Sequence, residues 1–342
     1  MNNFGYSRAT DIADAVRQIT ANPSAKFIAG GTNLIDLIKE HVALPSRLID
    51  ITHLPLCNVE ETEKGGLRIG ALVLNSDLAS HPRIEARYPL LASAILAGAS
   101  PQLRNMATTG GNLLQRTRCL YFYETSTPCN KRDPRSGCSA IGGINRMHAI
   151  LGTSEHCIAT HPSDMCVALA ALDARVLATG PNGERSIAFA DFHRLPGDMP
   201  QIDSTLRVDE IITAIELPPN GFARNYTYLK IRDRLSYAFA LISVAVGLEI
   251  EGGTIREARL ALGGVAHKPW RDRDAEAQLN GLPATRASFQ CAANTVVCEA
   301  RGFGHNDFKI ELARRAIIRA LTQAGRGTPQ SQTDKRISGS LP

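Results

Sequence analysis

Between residues 114 and 158 the chain gives up hydrophobic periodicity for a stretch rich in Arg, Pro, Gly, Ser and Cys, too poor in patterned apolar residues to build an ordinary core. A loop of that length inside a compact domain needs something to order it. Cys119, Cys129, Cys138 and Cys157 supply a candidate, in a C-x9-C-x8-C-x18-C series. Four thiolates closing on one metal centre would crosslink the segment, and metal binding to such a segment is folding free energy for it. The spacing matches neither paired C-x2-C zinc ligands nor the compact ferredoxin run. Thiolates alone do not separate structural zinc from an iron–sulfur cluster, so both stand on this pattern.

Two glycine-rich loops lie upstream. The first, Ala29-Gly30-Gly31-Thr32-Asn33, follows an expected short strand at Lys26–Ala29 and precedes a helix marked by Leu34, Leu37 and Ile38, with a second strand at Arg47–Ile51. In such a β–loop–α–β unit the helix start faces the loop, where an anion is commonly held. The second loop, Thr108-Thr109-Gly110-Gly111-Asn112, repeats the chemistry of free N–H, hydroxyl and amide donors. Two such loops point to a dinucleotide gripped from two sides, and since neither fits G-x-G-x-x-G the site is not of the Rossmann type. A metal centre beside a nucleotide-like cofactor means electron transfer.

The remaining polar residues read more blandly. Asp164, after Pro162-Ser163, reads as a helix N-cap. His148, His156 and His161 read as solvent or core histidines, because four thiolates already complete a site. Lys230 either snorkels from its strand or reaches a cofactor oxygen. No Ser/His/Asp or Cys/His nucleophile signature and no G-x-x-x-x-G-K-[ST] loop occurs.

At 342 residues the chain can hold two or three domains. An N-terminal helix with Ile12, Ala15, Val16 and Ile19 on one face starts at Thr10 or Asp11. Strands are expected at Leu67–Ala71, at Ala174–Thr179 turning at Pro181-Asn182-Gly183, and at Tyr226–Ile231, Ala240–Ile250 and Ile255–Leu262. Tyr88–Gly98 reads as helix, and Phe308, Leu312, Ala316, Ile317 and Ala320 as the face of a closing amphipathic helix. The expected division is 1–56, 57–220 with the insert at about 114–158, and 221–324, followed by a disordered polar tail at 325–342. The 44% apolar and 21% charged composition is that of a soluble globular protein. A scattered net charge of +5 offers no basic stripe for nucleic acid. No membrane span and no signal peptide are expected. Cys57 and Cys166 lie outside the series, and Cys291 and Cys298, seven apart, read as buried core thiols.

Lys26-Phe27-Ile28-Ala29-Gly30-Gly31-Thr32-Asn33-Leu34 and Ser100-Pro101-Gln102-Leu103-Arg104-Asn105-Met106-Ala107-Thr108-Thr109-Gly110-Gly111-Asn112 resemble the FAD-binding subunit of the molybdenum hydroxylases, the xanthine dehydrogenase and carbon monoxide dehydrogenase medium-subunit family. The likeness runs nearly to the tail, through Lys230-Ile231-Arg232-Asp233-Arg234 and Gly263-Gly264-Val265-Ala266-His267-Lys268-Pro269-Trp270. Most members lack the cysteine insert. Here Cys119-Leu120-Tyr121-Phe122-Tyr123 and Pro128-Cys129-Asn130-Lys131-Arg132 are similar to the insert in the flavoprotein subunit of periplasmic aromatic-aldehyde oxidoreductases, with 4-hydroxybenzoyl-CoA reductase and xanthine dehydrogenase types as the alternative.

The resemblance implies an α+β fold: a two-part FAD-binding region of the PCMH/vanillyl-alcohol-oxidase type with a four-Cys cluster insert, then a small α+β C-terminal domain. It places FAD against Lys26, Phe27, Ile28, Ala29, Gly30, Gly31, Thr32, Asn33, Leu34, Thr108, Thr109, Gly110, Gly111, Asn112, Asp164, Ile212 and Lys230. A [4Fe-4S] cluster falls on Cys119, Cys129, Cys138 and Cys157. No catalytic residue is expected on this chain, whose partners in a heterotrimer would be a molybdenum-cofactor large subunit and a two-[2Fe-2S] small subunit. Aldehyde would become carboxylic acid on the molybdenum partner, and FAD would pass electrons to an external acceptor. Periplasmic residence would follow from folded co-export with a partner bearing a twin-arginine signal, the alternative being cytoplasmic. A zinc-stapled scaffold without redox activity, and a stand-alone flavin oxidase, are the competing readings of the same residues.

Overall fold

The computed structural model describes residues 2–235 and 237–332. Its first unit is a parallel sheet of β1 (Gly5–Arg8), β2 (Lys26–Ile28) and β3 (Arg47–Asp50), in the order β1-β3-β2. Helix Ile12–Ala21 carries the chain across it with Ala15, Val16 and Ile19 buried, and Asp11 is its cap, accepting from the Asp14 N–H at 2.7 Å. Helix Leu34–Lys39 follows the first glycine loop and buries Leu37 and Ile38.

The second unit is an antiparallel sheet of β4 (Val59–Glu61), β5 (Leu67–Gly70), β6 (Arg175–Gly180), β7 (Gly183–Ala188) and β8 (Ile211–Leu217), ordered β4-β5-β8-β6-β7. The alternation that marks β5 holds: Leu67 and Ile69 are fully buried while Arg68 points outward to Glu216. The third unit is a sheet of β9 (Asn225–Ile231), β10 (Ile242–Glu251), β11 (Thr254–Gly263) and the two-residue β12 (Trp270–Arg271), ordered β12-β11-β10-β9. Strand β12, too short to leave a periodicity, was not expected from sequence.

Period-2 patterning explains how the third sheet packs on both faces. Val244, Val246, Leu260 and Leu262 share a core with Phe289, Ile317 and Leu321 of the C-terminal helices. Ala245 and Ala261 join instead the core of the second unit, against the apolar helices Pro89–Ala97 and Asp164–Ala171. Two helices without a polar face are thus sandwiched between two sheets, and one core cluster spans the second and third units.

Four sequence expectations are corrected. Ser163, not Asp164, caps helix Asp164–Ala171 by accepting from the Cys166 N–H at 3.0 Å, which leaves the Asp164 carboxylate for other partners. Cys291 and Cys298 are exposed, because helix Arg286–Val297 turns Phe289, Ala292, Ala293 and Val296 inward and a seven-residue spacing marks its outer face equally well. In helix Phe308–Gly325 the buried face includes Ala313, Ala316, Ile317, Ala320 and Leu321, while Phe308 is exposed and Leu312 half-buried. Past Gly325 the chain is not a loose tail at once. Gln330 accepts from the Lys230 N–H at 2.9 Å and Gln332 donates to the Tyr228 carbonyl at 2.8 Å, so residues 326–332 cover the open edge of β9. The rest of the expected tail, 333–342, lies outside the described residues.

Segment 114–158 contains one short helix, Leu120–Tyr123, and isolated bridges between Cys129 and Cys138 and between Ser154 and Cys157. Its Phe122 and Cys129 form a small apolar cluster with Leu37 of the first unit. Near its end Ile150 and Leu151 join the core of the third unit, but between Thr117 and Ile144 little else apolar holds the insert.

Candidate functional site

A cleft of about 1050 Å³ opens where the three units meet, at the upper end of the size range for ligand sites and roomy enough for a dinucleotide. Lys26, Phe27, Ile28, Ala29, Gly30, Gly31, Thr32, Asn33 and Leu34 all line it, as do Thr108, Gly110, Gly111, Asn112, Asp164, Ile212 and Lys230. Ile212 reaches it from β8 beside a register shift at Leu177/Ala178. Thr109 is the exception among the expected residues. It is 1% exposed, and its hydroxyl donates to the Val73 carbonyl at 2.9 Å, so it anchors the loop from behind and does not face the cleft.

The glycines do different jobs. A Cβ on Gly30 would sit 1.8 Å from the Met106 carbonyl oxygen, so Gly30 lets the first loop touch the backbone leading into the second. Gly31 has φ +69°, a conformation that favours glycine. A Cβ on Gly111 would meet only the Thr108 hydroxyl, at 2.9 Å, and that hydroxyl already accepts from the Gly111 N–H. Gly111 therefore keeps its face of the cleft open for close backbone approach by a ligand.

Several cleft residues were not anticipated. Arg104, Arg116, Arg118, Asp203, Tyr237 and Phe239 line the walls. Burial first, and the Arg116 charge second, pull the Lys26 ammonium below its ordinary pKa, an arrangement that a bound anion would relieve. Lys230 neither snorkels nor stands free. Its buried Nζ donates to Asp164 Oδ2 at 2.8 Å and to the Ala97 carbonyl at 3.0 Å. The Tyr228 hydroxyl donates to Asp164 Oδ1 at 2.7 Å, and burial holds its phenol well above the usual value, so it remains a donor.

The insert forms one wall of this cleft. The Arg116 N–H donates to Asn33 Oδ1 at 2.9 Å, tying the insert to the first glycine loop, and its guanidinium donates to Asp203 Oδ2 at 2.8 Å. Arg118 pairs with Asp36 at 3.4 Å and lies 5.2 Å over the Phe239 ring. Lys131, buried among the cysteines, reaches the Pro200 carbonyl at 2.9 Å and ion-pairs with Asp203. Burial alone would raise the Asp203 carboxyl, but Lys131 and then Arg116 outweigh it and hold it well below the ordinary carboxylate range.

On the other side of that wall, Cys119, Cys129, Cys138 and Cys157 line a single small cavity, with no disulfide among them. Burial pushes the Cys119 thiol up to about 12 and Cys157 to about 11, so both stay protonated until a cation displaces the proton. Among the described residues, the group of metal-binding types whose ligand atoms converge within 4.8 Å is His161, Cys166 and His193, not the four thiols.

The histidines fall as expected for two of three. His156 is exposed. The His161 ring lies 4.3 Å from His193 in the core, where burial lowers both imidazoles and keeps them neutral. His148 differs: its Nε2 lies 3.0 Å from Cys119 Sγ.

Residues 2–220 match the FAD binding domain in molybdopterin dehydrogenase, and residues 226–324 match the CO dehydrogenase flavoprotein C-terminal domain. The chain belongs to the FAD-binding medium subunits of the molybdenum hydroxylases. It is an oxidoreductase subunit of that family. It is 50% identical over 325 residues, 95% of its length and 99% of the relative's, to the aldehyde oxidoreductase FAD-binding subunit PaoB of Escherichia coli (strain K12). The carbon monoxide dehydrogenase medium chain of Hydrogenophaga pseudoflava is 28% identical, over 94% of this chain and 96% of its own. In structure the chain is similar to the carbon monoxide dehydrogenase from that organism which lacks the Mo-pyranopterin moiety of the molybdenum cofactor, with a TM-score of 0.75, 27% identity and coverage of 95% and 98%. The α+β architecture of an FAD-binding domain followed by the flavoprotein C-terminal domain is that of this family.

Proposed function

We propose that this chain is the FAD- and [4Fe-4S]-bearing electron-transfer subunit of a molybdenum aldehyde oxidoreductase. The observation that carries the FAD half is the gathering of both glycine loops with Asp164, Ile212 and Lys230 around one dinucleotide-sized cleft. FAD, when bound, supplies the redox chemistry: it takes electrons and hands them on to an external acceptor. The chain's own residues bind and orient it. Gly111 lets the loop backbone come close to a pyrophosphate, Gly110 lets that loop pack on Ala71, and Lys26 and Arg116 oppose the ligand's charge. Asp164, held by Lys230 and Tyr228, presents a fixed carboxylate at the cleft wall.

The cluster half rests on four thiols that line one cavity, within a segment that has little apolar core of its own. The dinucleotide-sized cleft beside that cavity favours the redox reading over the zinc-stapled scaffold. We read the cluster as the organiser of residues 115–158, whose Arg116 and Arg118 wall the FAD cleft, and not as an obligatory relay. The likeness to PaoB supports an aldehyde as the enzyme's substrate, oxidised to carboxylic acid on a molybdenum-bearing large partner, with a two-[2Fe-2S] small partner completing the heterotrimer. Hydroxybenzoyl-CoA reductase and xanthine dehydrogenase types are the alternative. Periplasmic residence by co-export with a partner belongs to the same reading and is tested by fractionating cells with and without twin-arginine transport.

The deciding experiment is iron, acid-labile sulfide, zinc and flavin analysis of the purified complex. About eight irons per FAD are expected, roughly four on this chain and four on the small partner's two clusters. About four irons with one zinc would replace the cluster by a staple, and absence of flavin would remove the proposal.

A further inference from the structure

We propose that His148 donates a hydrogen bond to the Cys119 thiolate and thereby raises the reduction potential of the four-cysteine centre, with Lys309 of the C-terminal region as the positioning residue that holds it there. The inference rests on the cluster reading of the four thiols. His148 is 4% exposed, with Nε2 at 3.0 Å from Cys119 Sγ. A metal-bound thiolate can only accept, so the imidazole must be the donor. A neutral imidazole carries one N–H, and the other nitrogen, Nδ1, is buried with no partner. Placing the proton on Nε2 gives the N–H its acceptor, whereas placing it on Nδ1 would bury an unbonded donor at a cost of about 1–3 kcal/mol.

The backbone of His148 is held from the other domain. Lys309 is fully buried, and its Nζ donates to the carbonyl of His148 at 2.8 Å, of Gly264 at 2.5 Å and of Met147 at 3.5 Å. Asn306 donates to the carbonyls of His148, at 3.3 Å, and Ala149, at 3.0 Å. On the insert's side, the Ala149 N–H donates to the Ile158 carbonyl at 2.8 Å, next to Cys157. An ammonium buried against carbonyls alone is costly to keep, and burial pulls Lys309 down to about 7. What it secures is the position of a ring whose Nε2 lies 3.0 Å from a cluster ligand. An N–H···S bond withdraws charge from the thiolate and favours the reduced, more negative cluster, which is how hydrogen bonds to sulfur raise such potentials.

The test is an EPR-monitored redox titration of the intact complex, with iron and sulfide measured on each sample. His148→Phe removes the donor and should give a lower midpoint potential at unchanged iron content; His148→Gln, whose amide can donate, should recover part of the shift. Lys309→Met should also lower it. A His148→Phe potential equal to wild type overturns the inference and leaves the cluster reading intact, whereas a wild-type complex with no iron beyond the small partner's overturns the cluster reading itself. Should the phenylalanine variant fail to assemble, pulsed EPR on wild-type complex labelled with 15N-histidine decides. A weak nitrogen coupling is expected from a hydrogen-bonded ring; no coupling, or the strong coupling of a ligating ring, overturns the inference.

Discussion

Lys230 sits where a flavin contact was expected, yet the structure gives its charge to Asp164. Replacing it by Met keeps the aliphatic stem and removes the ammonium. That leaves the Asp164 carboxylate, with its side chain 8% exposed, supported only by the Tyr228 hydroxyl at 2.7 Å. Breaking a buried ion pair by removing one partner costs about 3–5 kcal/mol, a large part of the roughly 5–15 kcal/mol that holds a domain together. At about 2–4 °C per kcal/mol for a unit of this size, the melting temperature should fall by roughly 6–20 °C. The assay is thermal unfolding of flavin-stripped complex, so that ligand binding does not contribute. The double variant Lys230→Met/Asp164→Asn keeps an acceptor for Tyr228 without a charge and should regain at least about 2 kcal/mol of the loss. A single variant within about 1 kcal/mol of wild type, or a double variant no more stable than the single, would refute the claim that the pair is mainly structural.

Other outcomes follow from the same geometry. Gly30→Ala should lose most of its FAD even though the substitution is small, because its Cβ would fall 1.8 Å from the Met106 carbonyl oxygen and must displace it; full flavin occupancy would break the argument that the loops must touch. Gly111→Val should fold normally but bind FAD poorly, and an FAD-replete variant would remove that loop from the site. The Asp203 contacts should be pH-sensitive in one direction. Its folded carboxyl lies below the ordinary value of 3.8, so its contribution is complete above about pH 4 and lost as pH falls below it, when the insert should become protease-sensitive. The advantage of wild type over Asp203→Asn in protease resistance should be smaller at pH 3 than at pH 6 without vanishing there, while a wild-type insert already labile at pH 6 would contradict it. The chain without its partners should not oxidise aldehydes, and turnover by molybdenum-free chain alone would move the chemistry onto it.

Local chemistry carried most of what was legible in the sequence. The glycine loops, their flanking strand and helix, and the β6–β7 turn are short-range signals, and the structure places them where periodicity and turn residues did. The four cysteines could be grouped because nothing else in 114–158 could order it. What escaped was long-range pairing between residues that are individually unremarkable. No pattern links Arg116 to Asn33 and Asp203, or Lys309 to His148, since each pair is created by the packing of separate units. Thr109 was misjudged because successive residues of a helix are turned about 100° apart, and only burial tells which one faces the ligand. Cys291 and Cys298 show the same limit: helical spacing groups residues onto a face without saying which face is buried.

The central claim is that the cysteine centre orders a wall of the flavin cleft and is not the route by which electrons reach the flavin. Cys138→Ser tests it, in heterotrimers that retain FAD. Stopped-flow mixing with an aldehyde should show the flavin bleaching after the molybdenum is reduced, in a complex that has lost the cluster, is cut by protease between residues 115 and 158, and assembles weakly. If an assembled, FAD-replete complex reduces its molybdenum normally and its flavin never, the centre is a relay and the account is wrong.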